Sequence, residues 1–320
     1  MSQSVFLTGA SGFVGGAVLR RLAADGFSVT AAVRNGSKGV EEGVDTVRFD
    51  SFEGGSWSEH LAGVDVVVHC AARVHVMNDT ETDPLAAFRK VNVEGTLNLA
   101  RQAAEARVRR FVFISSIKVN GEGTEPGKPY TADDRPEPRD PYGVSKMEAE
   151  QGLRDLAGRT GMEVVIIRPV LVYGPGVKAN FLNMMRWLDK GVPLPFGAIH
   201  NGRSLVALDN LVDLIVTSIV HSGAANQTFL VSDGEDLSTT QLLRRMAKAL
   251  DKSARLLPVP SWILSTTANL LGKKSLSQRL CGSLQVDISK TRSLLQWAPP
   301  VSVDDALKAA AADYMEHKKQ

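Results

Sequence analysis

Apolar runs alternate with helical periodicity through the first half of the chain. Val5–Thr8, Val29–Val33, Val64–Cys70, Val108–Ser115 and Glu163–Arg168 are near-continuous apolar runs, the pattern of strands buried on both faces. Gly15–Asp25 places Val18, Leu19 and Leu22 on one helical face, and a longer helix is expected over about Ser145–Arg159. Strands and helices alternating in this way predict an α/β fold with a doubly wound parallel sheet. After about residue 170 the rhythm loosens, because Pro175, Pro193, Pro195, Pro258, Pro260, Pro299 and Pro300 cut the chain into short helices and loops. Residues 1–170 are therefore assigned to the sheet domain, and 171–320 mainly to a smaller C-terminal α/β domain. Segments around 205–232 are expected to return to the sheet.

Leu256–Leu271 is the most membrane-like stretch, with Trp262, Ile263 and Leu264 interrupted by Thr266, Thr267 and Asn269. It falls short of the roughly 18 apolar residues of a spanning helix. The preferred reading is a packed helix of the smaller domain; peripheral membrane contact is the less favoured one.

Composition is that of an ordinary soluble protein, 43% hydrophobic and 22% charged over 320 residues. A net charge of +2 gives no field that favours nucleic acid, so an anionic ligand needs a local basic site. The two cysteines, Cys70 and Cys281, lack metal spacing and suit a reducing cytoplasm. The N-terminus has no basic leader and runs directly into a strand. His75, His200 and His221 are scattered, so no metal site is expected.

Gly9, Ser11, Gly12, Phe13, Val14 and Gly15 lie in a TGASGFVG turn between the first strand and the first helix. Glycines there permit a tight turn and close approach of backbone to a pyrophosphate, with the helix N-terminus supplying N–H donors. The strand–turn–helix–strand context makes this a Rossmann-type dinucleotide site. NAD enzymes usually carry an acid at the end of the second strand, where this chain has Ala32-Val33-Arg34-Asn35. A guanidinium suits a 2′-phosphate, so NADP(H) is favoured over NAD(H). Arg34 is the expected ligand, and Asn35, Ser37 and Lys38 are possible helpers.

Tyr142 and Lys146 are four residues apart at the start of a helix and share a face. A phenol near pKa ~10 needs help to act at neutral pH, and a nearby ammonium would lower it. Ser116 stands at the C-terminal end of the Phe111–Ser115 strand, at the ligand edge of such a sheet. From there it could hold a substrate oxygen beside Tyr142; a serine that merely serves the turn is the equal alternative on these residues alone.

These features occur in one order: the glycine turn, Asp50-Ser51, His69-Cys70-Ala71-Ala72, Asn92-Val93-Glu94-Gly95-Thr96, Ser115-Ser116, Tyr142/Lys146 and Arg168-Pro169-Val170-Leu171-Val172-Tyr173-Gly174-Pro175. Over nearly its whole length the chain resembles extended short-chain dehydrogenases/reductases, and within them the NAD-dependent epimerase/dehydratase family. The resemblance implies that Ser116 orients the substrate oxygen, Tyr142 is the acid/base and Lys146 also holds the nicotinamide ribose. It gives Asp50 and Ser51 to the adenine, Ala71, Ala72 and Arg73 to the cofactor channel, Asn92 to its support and Pro169 to the nicotinamide end. Asn180 and Arg203 match positions that hold a nucleotide diphosphate, and Lys118, two residues after Ser116, joins the expected substrate contacts. A homodimer through helices near Leu85–Ala106 and Ser145–Arg159 is the family expectation.

Ile117-Lys118 replaces the Asp-Glu pair of sugar 4,6-dehydratases, which argues against dehydration. Leu171 replaces the Asn common in 4-epimerases. With Val33-Arg34, the pattern looks closest to bacterial surface-polysaccharide enzymes, which reduce a UDP-4-keto-6-deoxy-N-acetylhexosamine to UDP-N-acetylquinovosamine. A UDP-sugar 4-epimerase, such as one acting on UDP-N-acetylglucosamine, is the alternative. A reductase of a non-sugar ketone or hydroxysteroid is a third reading. A non-catalytic NADP(H) sensor is a fourth, opposed by the joint presence of Ser116, Tyr142 and Lys146.

Overall fold

The computed structural model of the chain describes residues 3–37, 40, 43–74, 82–125, 127–270, 278 and 280–318. In chain order the strands are β1 Ser4–Thr8, β2 Ser28–Arg34, β3 Asp45–Phe49, β4 Val66–His69, β5 Arg110–Ile114, β6 Glu163–Pro169, β7 Leu171–Tyr173, β8 Arg203–Ala207, β9 Thr228–Val231 and β10 Asp236–Leu237. Seven of them form a parallel sheet in the order β3-β2-β1-β4-β5-β6-β9. The order reverses beside β1, so a crevice opens beyond the carboxyl ends of β1 and β4, where such sheets bind ligands.

The helices are α1 Phe13–Ala24, α2 Ser58–Leu61, α3 Pro84–Arg89, α4 Thr96–Glu105, α5 Pro141–Thr160, α6 Ala179–Asp189, α7 Leu208–Val220, α8 Thr239–Ala249, α9 Ser261–Leu270, α10 Ser289–Leu295 and α11 Val303–Lys318. Alternate residues of each strand feed opposite faces of the sheet. Leu7, Val68, Val112 and Ile167 pack under α1 and α7, while Phe6, Val67, Phe111 and Ile166 pack under α4 and α5. Both faces are covered, which is why the strands lack polar alternation.

A third apolar core joins Phe181, Met184 and Leu188 of α6, Leu242, Leu243 and Met246 of α8, and Leu307 and Tyr314 of α11. Beside it β7, β8 and β10 form a small three-stranded sheet. The segment around 205–232 thus divides: β8 joins the small sheet, α7 covers the large one and β9 is its last strand.

Two sequence expectations need correction. The long helix begins at Pro141, not near Ser145, because Asp140 caps it from Gly143 N–H at 2.7 Å and Pro141 occupies its first turn. The helix within Leu256–Leu271 is not packed as expected. α9 leaves Trp262 69% and Leu270 83% exposed, because its outer face lies beyond the third core. Leu271, Lys38 and His75 lie outside the described residues.

Candidate active site

Gly9 turns the chain at φ +74°, and a Cβ there would stand 2.7 Å from Ala71 N. The loop after β1 is thereby pressed against the loop after β4. A Cβ on Gly15 would stand 2.1 Å from Gly9 O, so α1 starts directly against the turn. Gly12 caps α1 without a side-chain hydrogen bond, and the first turn holds no acid. A helix start free of its own cap, beneath a cradle that any side chain would fill, fits a dinucleotide pyrophosphate. Ser11 is exposed on this turn, and Phe13 and Val14 are half-buried behind it.

At the end of β2, Arg34 is exposed, as a 2′-phosphate ligand would be. Its neighbour Asn35 is engaged otherwise: its amide donates to Asp50 Oδ1 at 2.7 Å. The end of β2 therefore has a carboxylate beside it, supplied from the end of β3 and invisible in the local sequence. Ser37 donates to Arg34 O at 2.6 Å, closing the turn, and Ser51 Oγ accepts from Gly54 N at 3.4 Å.

Asn92 lies buried in a π-helical turn, Lys90–Gly95. Its Oδ1 accepts from Arg73 N at 2.8 Å, and its Nδ2 donates to Arg73 O and Ser145 Oγ, each at 3.0 Å. It clamps the Ala71–Arg73 backbone to α5, just before Lys146. Behind it, His69 bridges Thr8 and Thr96 at 2.8 and 3.0 Å. Burial lowers the His69 imidazole to about 3, so it is a neutral brace.

After β5 the two serines part. Ser115 donates to buried Glu150 at 2.6 Å, while half-buried Ser116 caps a single 3₁₀ turn, Ile117–Val119. A Cβ on Gly143 would lie 2.8 Å from Lys118 O, so the Ser116 turn and the first turn of α5 abut. Tyr142 stands in that first turn, edge-on to Phe88 with ring centroids 5.9 Å apart. Lys146, one helical turn on, is 1% exposed. Its Nζ donates to Ile114 O at 2.7 Å and lies 4.2 Å from the Phe113 ring centroid. Pro169 ends β6 at the same sheet edge.

The electrostatics differ from the simple expectation. Burial, aided by the Asp140 carboxylate, pushes the Tyr142 phenol up to about 12 rather than down. Burial lowers the Lys146 ammonium to about 7, against the pull of Glu150. Lys118, expected at the substrate, pairs instead with Asp140 and with Glu122, the latter at 3.3 Å. It thus partly neutralises the charge that raises Tyr142.

Sequence reasoning missed Asp140, Ser145 and Glu150. Glu150 is buried and binds Arg168 through both oxygens at 2.8 and 2.6 Å, and Arg154 at 2.9 Å; Arg168 also donates to Asn120 at 2.9 Å. These bonds hold Ser115, α5 and β6 in one frame. An Asp before Pro was a readable cap signal, whereas Glu150 gave none. Of the expected diphosphate ligands, Asn180 is exposed in the first turn of α6. Arg203 begins β8 and donates to Gly282 O at 3.2 Å, which brings the stretch after α9 toward the loop after Ser116, where Thr124 N donates to Ser283 O at 2.9 Å.

Residues 5–232 match the model of the NAD dependent epimerase/dehydratase family. A Vibrio cholerae protein named UDP-glucose 4-epimerase is 50% identical over 99% of this chain and 97% of its own. An Escherichia coli O157:H7 protein named N-acetyl-alpha-D-glucosaminyl-diphospho-ditrans,octacis-undecaprenol 4-epimerase is 28% identical over 92% of this chain and 90% of its own. Among solved structures, the Bacillus cereus UDP-glucuronic acid 4-epimerase in complex with NAD matches with a TM-score of 0.80 at 21% identity, covering 98% of this chain and 99% of that one. The fold agrees with the match across two-thirds of the chain: this protein is an enzyme of the NAD-dependent epimerase/dehydratase family.

Proposed function

We propose that the enzyme is a 4-epimerase of a sugar carried on a nucleoside diphosphate, with UDP as carrier and NAD(H) held at the glycine cradle. The observation that carries this reading is the 50% identity, over almost the full length of both chains, to a protein named for that reaction. It displaces the sequence preference for a 4-ketoreductase. Asp50, bonded to Asn35 beside the end of β2, weakens the argument that no acid serves the adenosine ribose.

A dinucleotide held at the Gly9–Gly15 cradle would supply the hydride acceptor and donor for the sugar C4. Ser116 donates its hydroxyl to the sugar O4. Tyr142 removes the O4 proton as the alcohol is oxidised and gives it back on reduction. Its raised pKa favours the returning step; the forward step needs nearby positive charge, and Lys146 in its protonated form, one turn along the helix, is the proposed source. Arg203 and Asn180 are proposed for the diphosphate. The E. coli relative's name gives polyprenol as an alternative carrier of a diphospho-sugar.

A second reading, an NADPH-dependent 4-ketoreductase, is favoured by one observation: exposed Arg34 at the end of β2. The two are separated by mixing purified enzyme with UDP-glucose or UDP-N-acetylglucosamine plus NAD, and separately with a UDP-4-keto-6-deoxy-N-acetylhexosamine plus NADPH. A 4-epimer formed in the first mixture, without net change in reduced nicotinamide absorbance, is expected. Stoichiometric NADPH loss in the second, with no epimer in the first, overturns the epimerase reading.

A further inference from the structure

We propose that the outer face of α9 and the strand leading to it form a docking surface for an anionic phospholipid bilayer. Trp262, Ile263 and Leu270 of α9 are exposed, as is Leu257 ahead of it. Leu257 N donates to Leu194 O and Leu194 N to Arg255 O, at 2.8 and 2.9 Å. That pairing brings up the end of α6, where exposed Val192 donates its N–H to the carbonyl of exposed Trp187 at 3.0 Å. Thr266 and Thr267 do not make the α9 face more polar than it looks. Each hydroxyl donates 2.8 Å back to a carbonyl of its own helix, Trp262 O and Ile263 O.

Charge selects the occupant. The 35 residues from Lys252 to Val286 contain no Asp or Glu, and hold Lys252, Arg255, Lys273, Lys274 and Arg279. The chain has 37 Lys and Arg against 35 Asp and Glu, so the remaining 285 residues carry net −3, and the +2 of the whole resides in this segment. Lys252, Arg255, Arg186 and Lys190 are exposed around the apolar face; of the neighbouring acids, Asp251 lies at its border and Asp189 is paired with Lys318. Apolar side chains including a tryptophan, set among cations, match the boundary between anionic headgroups and acyl chains. A second copy of this chain would bring like charge against like charge here. Among the described residues no helix is long and apolar enough to cross a membrane, so the contact is peripheral. The same segment includes Gly282 and Ser283, which meet Arg203 and the loop after Ser116, so docking would hold the mouth of the site near the bilayer.

The test uses the full-length protein with vesicles of phosphatidylcholine alone or containing about one-third phosphatidylglycerol, followed by co-sedimentation and tryptophan emission. Expected are binding to the anionic vesicles, a blue shift in emission, and loss of both in high salt. The double variant W262S/I263S and the charge variant K252Q/R255Q should each bind at least roughly tenfold more weakly. Neither touches the catalytic cluster, so unchanged NAD binding verifies that they fold. Wild-type protein that ignores both vesicles overturns the proposal, as does W262S/I263S binding within twofold of wild type. A self-association abolished by W262S/I263S, without vesicle binding, gives the face to a second copy and overturns it too. Vesicle binding is read without turnover, so its failure is separate from failure of the epimerase reading.

Discussion

At the scale of single residues, two cations differ sharply in their surroundings. Arg34 is exposed at the end of β2, where a 2′-phosphate would sit. A charge-assisted hydrogen bond is worth ~1.5–3 kcal/mol, so Arg34→Ala should weaken NADPH roughly 10- to 100-fold. NAD lacks that phosphate and should change by less than about threefold. Calorimetric titration of both cofactors decides it; equal losses would remove Arg34 from the phosphate. Lys146 is the second cation. Its folded pKa is lowered to about 7 by burial, against ~10.4 in the unfolded chain. Below pH 7 both states hold the proton, and the folded state bears the cost of a buried ammonium. Between about 7 and 10.4 the unfolded chain binds more protons, so this group makes stability rise with pH. Lys146→Met lacks the term. It should exceed wild type in stability at pH 6 by about 1–3 kcal/mol, after loss of the bond to Ile114 O. The gain should vanish by pH 10 while turnover is lost at both. Denaturant midpoints at the two pH values measure it, and a variant less stable than wild type at pH 6 would show that the ammonium is well compensated.

At the scale of elements, the site depends on two turns that touch. The Ser116 turn reaches the first turn of α5 through Lys118 O and Gly143, where an added methyl would sit 2.8 Å from that carbonyl and 3.2 Å from Asp140 Oδ1. Backbone and cap must therefore shift in Gly143→Ala. Misplacement near 1 Å can cost ~100-fold in rate. A fall in kcat of about 10- to 100-fold is expected, with NAD affinity within about threefold because the glycine cradle lies on other elements. Turnover and cofactor titration read the two separately; wild-type kcat would show that the turns accommodate the methyl. Much of this element scale was legible in the sequence. The TGASG turn, the strand ends and the four-residue Tyr142–Lys146 spacing are local patterns, and local patterns survive folding. What escaped was partnership across distance. Glu150 reads as one more helix carboxylate until β6 brings Arg168 to it, and Asn35 reads as a phosphate helper until β3 brings Asp50. Lys118 reads as a substrate ligand until the cap residue Asp140 takes its ammonium. The π-helical turn that aims Asn92 had no signature in the pattern of apolar positions at all.

At the scale of the whole molecule, the chain is organised around separate cores. Two lie on the faces of the seven-stranded sheet, and the third joins α6, α8 and α11. The last was the hardest to read from sequence, because α6 and α11 meet across more than a hundred residues, as in the Tyr314–Asp189 bond at 3.0 Å. Polar ties cross between the regions: Gly176 N donates to Asp313 at 2.8 Å, and Gly176 lies 3.9 Å from the Phe13 ring of the cofactor turn if given a Cβ. The third core is an apolar cluster apart from the two on the sheet, so it should open without the sheet. Leu307, 2% exposed on α11, tests this. Leu307→Ala removes buried methyl groups and leaves a cavity, at a cost of about 2–5 kcal/mol. If the third core is its own cooperative unit, hydrogen exchange in the variant should quicken for amides of α6, α8 and α11. Amides of β1, β4 and β5 should keep wild-type protection, and NAD affinity should stay within about threefold. Were the molecule a single unit, the same cavity would lower protection everywhere by the same factor. Uniform loss across the sheet strands would therefore sink the idea that the sugar-side core opens on a fixed cofactor platform.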